Sequence, residues 1–175
     1  MNDTDWAERF RQIYERSVEK YPKGSFRPET LFTDEDAKFL TSIGCSRQEL
    51  FDFVEDWCQS TEPPFETALA ITAVRRDYFL QVQLGKPSDR TISMAALPAK
   101  SAKVDGIVWL PRIIAKARAK LRGEMPADLM YDCGGDRHFL RNMKVNPADF
   151  LREVWAAGDD DRRIIEFVKR EKAKC

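Results

Sequence analysis

The chain has 175 residues, of which 43% are hydrophobic, 11% aromatic and 33% charged. That composition excludes a disordered chain, and the length suits one compact domain or two small units sharing a core. Lysine plus arginine and aspartate plus glutamate stand at 29 each, and the formal charge of +0 excludes a uniformly basic binder of nucleic acid.

The acidic, polar start Met1-Asn2-Asp3-Thr4-Asp5-Trp6 has neither the basic nor the apolar region of a secretory signal. No stretch approaches the roughly 20 apolar residues of a membrane-spanning helix. Cys45, Cys58, Cys133 and Cys175 show no paired spacing, and His138 is the single histidine. Neither a disulfide framework nor a zinc site of the Cys/His kind is therefore expected. The expectation is a cytoplasmic protein with reduced thiols, no metal and no membrane contact.

Helical spacing dominates the chain. Trp6, Phe10, Ile13, Tyr14, Ser17, Val18 and Tyr21 lie on one face of a first helix, ended by Pro22 and Gly24. Thr33 caps a second helix with Asp36 at its third position, Phe39, Leu40 and Ile43 inward, and Gly44 as its stop. Ser46 caps a third with Glu49 three residues on and a stripe of Leu50, Phe51, Val54 and Trp57. Past Pro63-Pro64 a fourth helix runs from near Phe65 to about residue 83. Residues 85–106, with Pro87 and Pro98, read as an irregular connector. Asp105-Gly106 then opens a helix from about Ile107 to Leu121, with Pro111 in its first turn and Gly123 and Pro126 after it.

The C-terminal part repeats the earlier programme one hundred positions on. Ile13 meets Ile113, Asp36 meets Asp136, Phe39-Leu40 meets Phe139-Leu140, Cys45 meets Val145, and Val54 meets Val154. After a shorter loop, Val74-Arg75-Arg76 answers Val168-Lys169-Arg170. The expected architecture is all-α: two degenerate helical repeats packed as one compact domain. Residues 1–84 form the N-terminal unit, 85–106 the connector and 107–175 the C-terminal unit.

Leu110-Pro111-Arg112, Lys116-Ala117-Arg118-Ala119, Leu121-Arg122-Gly123, Cys133-Gly134-Gly135-Asp136-Arg137 and Phe139-Leu140 form a motif string. On that string, from about Asp105 to Val168, the sequence resembles a bacterial domain family of unknown function. The resemblance implies an all-helical domain and no particular reaction, substrate or cofactor.

Three features could carry chemistry. In the loop Tyr131–His138, Gly134 and Gly135 let the backbone approach an anion at a helix start. Asp136 is expected to cap that helix, and Arg137 to orient the loop. Cys133 beside Arg137 and His138 is a candidate nucleophile. The plain alternative is a tight glycine turn, a helix cap and a small buried thiol. His138 aligns with Lys38, which suggests a solvent-facing position. Cys58 and Cys175 read as incidental, Cys45 as core.

The second feature is a basic helix side with Arg112, Lys116 and Lys120 at four-residue steps, flanked by Arg118 and Arg122. Leu110, Ile113, Ala117 and Leu121 fall opposite. Leu84–Gly123 holds nine basic and two acidic residues, a net +7, so the rest of the chain carries −7. The third feature is acidic: Glu49, Asp52, Glu55, Asp56 and Glu62, read first as a solubilising face. Together these give the expectation of a helical binding module in which Arg112, Lys116, Gly134, Gly135, Asp136 and Arg137 recognise an anionic small molecule or an acidic protein surface. Nucleic acid is disfavoured, because no aromatic platform or phosphate-binding loop accompanies the basic helix. The alternative is a small enzyme or redox protein using Cys133, with His138 or Arg137 tuning it. The sequence singles out no cofactor and leaves a homo-oligomer open.

Overall fold

In the computed structural model, which describes residues 3–174 and leaves Met1, Asn2 and Cys175 outside the description, helix α1 spans Asp3–Lys20. It buries Trp6, Phe10, Ile13, Tyr14 and Ser17 along the predicted stripe, and a 3-10 turn at Tyr21–Lys23 ends it where Pro22 removes a donor. A one-turn helix α2, Pro28–Leu31, leads to α3, Asp34–Ser42. The Thr33 hydroxyl accepts from Asp36 N at 3.1 Å, and the Asp36 carboxylate accepts from Thr33 N at 3.0 Å, which is the predicted capping box. Ser46 and Glu49 repeat the device at the start of α4, Arg47–Ser60, at 3.1 and 2.7 Å. Helix α5 spans Phe65–Gln81, two residues shorter than expected. Packing of α1 on α4 and α5 encloses Phe10, Leu40, Leu50, Val54, Ala68 and Ile71 completely. Each such large aliphatic side chain contributes about 1.5–3 kcal/mol by leaving water.

The chain divides into two compact units, Met1–Pro87 and Ser88–Cys175. Residues 88–102, expected as connector, are tied into the second unit by Ile92 N donating to Glu124 O at 2.9 Å and by Arg112 donating to Pro98 O at 2.8 Å. The helix expected from Ile107 begins instead at Leu110. Ahead of it, β1 (Lys103–Val104) and β2 (Ile107–Val108) pair antiparallel across Asp105-Gly106. Both turn residues have positive φ, 49° and 77°. Asp-Gly is the dipeptide that two-residue hairpin turns of this hand select, so the pair that was read as a helix opener closes a hairpin. Four helices follow: α6 (Leu110–Arg122), α7 (Gly134–Met143), α8 (Pro147–Ala157) and α9 (Asp161–Ala173). Here α6 packs on α8, and α9 packs on both α7 and α8. Nine α-helices and one short hairpin among the described residues make the fold mainly α. No helix among them is long and apolar enough to cross a membrane.

The two units share a turn in detail. Gly44 N donates to Thr41 O and Cys45 N to Leu40 O, both at 3.0 Å, while Lys144 N donates to Arg141 O and Val145 N to Leu140 O at the same 3.0 Å. Gly44 and Lys144 take left-handed φ of 71° and 57°, and Ser46 and Asn146 then cap the next helix with their side chains. Gly44 is constrained twice, because a Cβ there would sit 2.6 Å from the Phe79 ring. A Gly44→Ala variant is expected to lose about 2–4 kcal/mol in urea unfolding, from left-handed strain plus overpacking. Gly85→Ala, at φ 73° but with nothing within 4 Å, is expected to lose only the strain component, about 1–2 kcal/mol.

Candidate functional site

Helix α6 buries its predicted apolar side, with Leu110, Ile113 and Ala117 at 0% exposure and Leu121 at 3%. It also buries the side expected to face solvent, for Lys116 is 2% and Lys120 3% exposed. Cys133 and Asp136, at the start of α7, lie against Lys116, and an enclosed lysine persists only with a partner. Lys116 has one: its ammonium donates to Asp136 Oδ2, and both side chains are enclosed. Lys116 is therefore not part of an exposed recognition face. The cation and the carboxylate lie twenty residues apart in sequence, and only the tertiary fold joins them.

Asp136 is not the helix cap. Helix α7 takes in both glycines as its first two residues, so Cys133 is the N-cap and Asp136 the third helical residue. From there its carboxylate collects three donors: the Lys116 ammonium, Trp109 Nε1 at 2.9 Å and Asp132 N at 3.0 Å. A fully enclosed carboxylate requires such a set, since an uncompensated buried charge costs several kcal/mol. Burial and the carboxylates of Asp132 and Asp136 push the Tyr131 phenol well up, and its hydroxyl donates to Pro147 O at 2.8 Å.

The glycines do not form the tight turn of the plain alternative, since both lie within the helix. A Cβ on Gly135 would lie 2.6 Å from the Trp109 indole, so this position is glycine because the ring rests on the helix backbone. Trp109 itself holds a left-handed φ of 75° at the junction of β2 and α6. Gly134 is exposed, and a Cβ there would come no closer than 4.0 Å to the Arg137 guanidinium.

Cys133 is half-buried, and its sulfur lies 3.2 Å from Lys116 Nζ. Its side chain makes no capping hydrogen bond. The first unit offers a comparison one hundred positions earlier. There Arg16 donates to both oxygens of Asp36 at 2.7 and 2.8 Å, at the edge of an open groove between α1 and α3. Burial works against ionisation of Asp36, but the hydrogen bonds from Thr33 and Arg16 outweigh it and hold the carboxyl below its usual value. In that unit the N-cap is Thr33, which does cap.

The remaining expected residues are dispersed. Arg112 is committed to Pro98 O, Arg118 to Gly158 O at 2.8 Å and Asp161 at 2.7 Å, and Arg122 to Glu124 at 2.8 Å. The basic helix is answered by acceptors of its own unit. Arg137 donates to Asp132 O at 2.6 Å and so braces the loop. His138 is exposed and bonds Asn142 of its own helix at 3.0 Å, apart from the Lys116 cluster. Cys45 is buried, and Cys175 lies outside the described residues. On α4, Glu55 accepts from Tyr21 Oη and Asp52 from Gln48, both at 2.6 Å. Among the described residues, no three His, Cys, Asp or Glu side chains are grouped to hold a metal ion. Trp109 and Asp132 belong to the cluster without having been singled out in the sequence. An indole just before a helix was the one available signal, and it did not say where the N–H goes.

Residues 96–175 match the model of a family described as a domain of unknown function, DUF5069, which supports a domain-of-unknown-function family over that stretch. No curated protein and no solved structure matches the chain.

Replacing Lys116 by Met leaves the enclosed Asp136 carboxyl without its cation, and is expected to cost about 3–5 kcal/mol in chemical denaturation. Gly135→Ala is expected to lose about 1–3 kcal/mol by displacing Trp109. Gly134→Ala, open to solvent in a helical first turn, is expected to change stability by less than about 1 kcal/mol.

Proposed function

We propose that the second unit is a thiol-dependent module in which Cys133 attacks a small electrophile bearing a negative charge. The observation that carries this reading is the 3.2 Å contact between Cys133 Sγ and the ammonium of Lys116. The ammonium and the start of a helix both bring positive charge to the sulfur, where an anionic substrate would meet it. Enclosure of Lys116 keeps that ammonium in place, and Asp136, fixed by Trp109 and Asp132, keeps Lys116 in place. Cys133 is the residue that meets the substrate, while Lys116 and Asp136 position and polarise it.

The N-cap choice supports the same reading. A serine or threonine at this position, as Thr33 shows in the first unit, contributes about 1 kcal/mol through its hydroxyl. Cysteine forgoes that bond and places a sulfur against the lysine instead. Our proposal includes a duplication of one helical unit, after which the cap position in the second copy changed from stabilising a helix to chemistry. An anionic group on the substrate fits the exposed first turn of α7 at Gly134, with Arg137 beside it. In the reaction the Cys133 proton passes to solvent, a bond forms from sulfur to the electrophilic atom, and the leaving group departs with its electron pair.

Alkylation of the native protein followed by peptide mapping tests this, with Cys58 as internal control because burial pushes its thiol up. Cys133 is expected to react with iodoacetate at least about tenfold faster than Cys58 near neutral pH, and faster than with neutral iodoacetamide after correction for their intrinsic rates. Lys116→Arg, which keeps the charge, is expected to retain most of the rate, and Lys116→Gln to lose it. A Cys133 no more reactive than an unstructured cysteine would sink the proposal.

A further inference from the structure

Among the described residues of the second unit Cys133 is the one cysteine, Cys175 lying outside them. What the fold places beside the sulfur is an amine, Lys116 Nζ at 3.2 Å. That amine cannot withdraw: its side chain is 2% exposed and bound by an enclosed carboxylate that Trp109 and Asp132 hold from two further sides. Cys133 itself is half-buried, not enclosed as Lys116 is. We propose that Lys116 and Cys133 form an oxidative cross-link, a nitrogen–oxygen–sulfur bridge between α6 and α7, when the protein meets hydrogen peroxide. This goes beyond the proposed function and rests on the lysine–cysteine geometry alone, whether or not Cys133 acts on a substrate.

The chemistry takes two equivalents of peroxide. The first oxidises the thiol by two electrons, breaking the S–H and O–O bonds and forming sulfenic acid and one water. The second oxidises the amine–sulfenic acid pair by two electrons: an N–O bond forms, the bridging oxygen stays on sulfur, and two waters leave. One further proton, that of the ammonium, passes to water. The lysine ammonium, the thiol and two peroxides thus give the bridge, three waters and one proton. Bridging removes the cation that balances Asp136, so the cross-link changes the electrostatics of the whole cluster while locking its two helices together. A thiol reductant reverses it, returning thiol and amine.

Intact-mass and tryptic peptide analysis of the full-length protein, before and after hydrogen peroxide, tests the cross-link. The expected product is about 14 Da heavier, for one oxygen gained and two hydrogens lost relative to the neutral side chains. Its map should lack cleavage after Lys116 and contain one peptide joining Lys116 to Cys133. Dithiothreitol should restore the original mass and the cleavage. Lys116→Arg, which retains a cation for Asp136, should lose the bridged peptide and carry Cys133 on to the sulfinic acid. The wild-type map decides the matter even if that variant fails to fold. Cys133 oxidised to sulfinic acid with Lys116 still cleaved by trypsin, or a product two hydrogens lighter with no Lys116 peptide attached, overturns the proposal. Alkylation rates bear on the proposed function and leave this inference untouched.

Discussion

The second unit is organised around the enclosed carboxylate of Asp136. Removing a carboxylate from water without compensation costs more than a small domain can spare, so its surroundings must supply donors. Three separate pieces of chain do so: α6 through Lys116, the β2–α6 junction through Trp109, and the loop before α7 through the Asp132 amide. Several local features follow from that convergence. Trp109 adopts a left-handed backbone so that its indole reaches across α7, and Gly135 has no side chain because the ring occupies that space. Such a cluster adds little net stability compared with apolar packing, but it tolerates few alternative arrangements.

The first unit solves the same geometric problem in a more solvated way. Arg16 meets Asp36 from α1 as Lys116 meets Asp136 from α6, and the turn after α3 matches the turn after α7 bond for bond. The first pair, however, keeps Arg16 more than half exposed and leaves Asp36 to complete a capping box. With the cap done by Thr33 there is no sulfur in the arrangement. The second unit thus differs from the first by a change of side chain at one cap, by deeper enclosure of the ion pair, and by an aromatic cover. Where Thr33 offers a capping hydroxyl, the second unit has a sulfur against a lysine, the contact on which the proposed function rests.

Four of the five basic side chains of α6 meet acceptors within their own unit. The arginines of α6 end on carbonyls and carboxylates of the same unit, and its most central lysine is inside. A charged helix that looks like a binding face in one dimension is here largely internal wiring, and what remains available at the cluster is the first turn of α7 with Cys133.

The sequence by itself determined the helices and several of their ends. Apolar spacing marked the buried faces of α1, α3, α4 and α6, and Thr33 and Ser46 announced their caps, because these are local effects readable within four residues. The hairpin was also local, written in Asp105-Gly106, but strands of two residues carry no periodicity to show it. Of the candidate site, Cys133, Lys116 and Asp136 stood out by residue type. Their relation to one another did not, nor did the part played by Trp109 and Asp132. Only the tertiary structure decided these, for a physical reason: helical periodicity reveals one buried face, while a second contact on the same helix depends on where a distant segment packs. Lys116 is enclosed against Asp136 and Cys133, twenty and seventeen residues on, and nothing within its own helix says so.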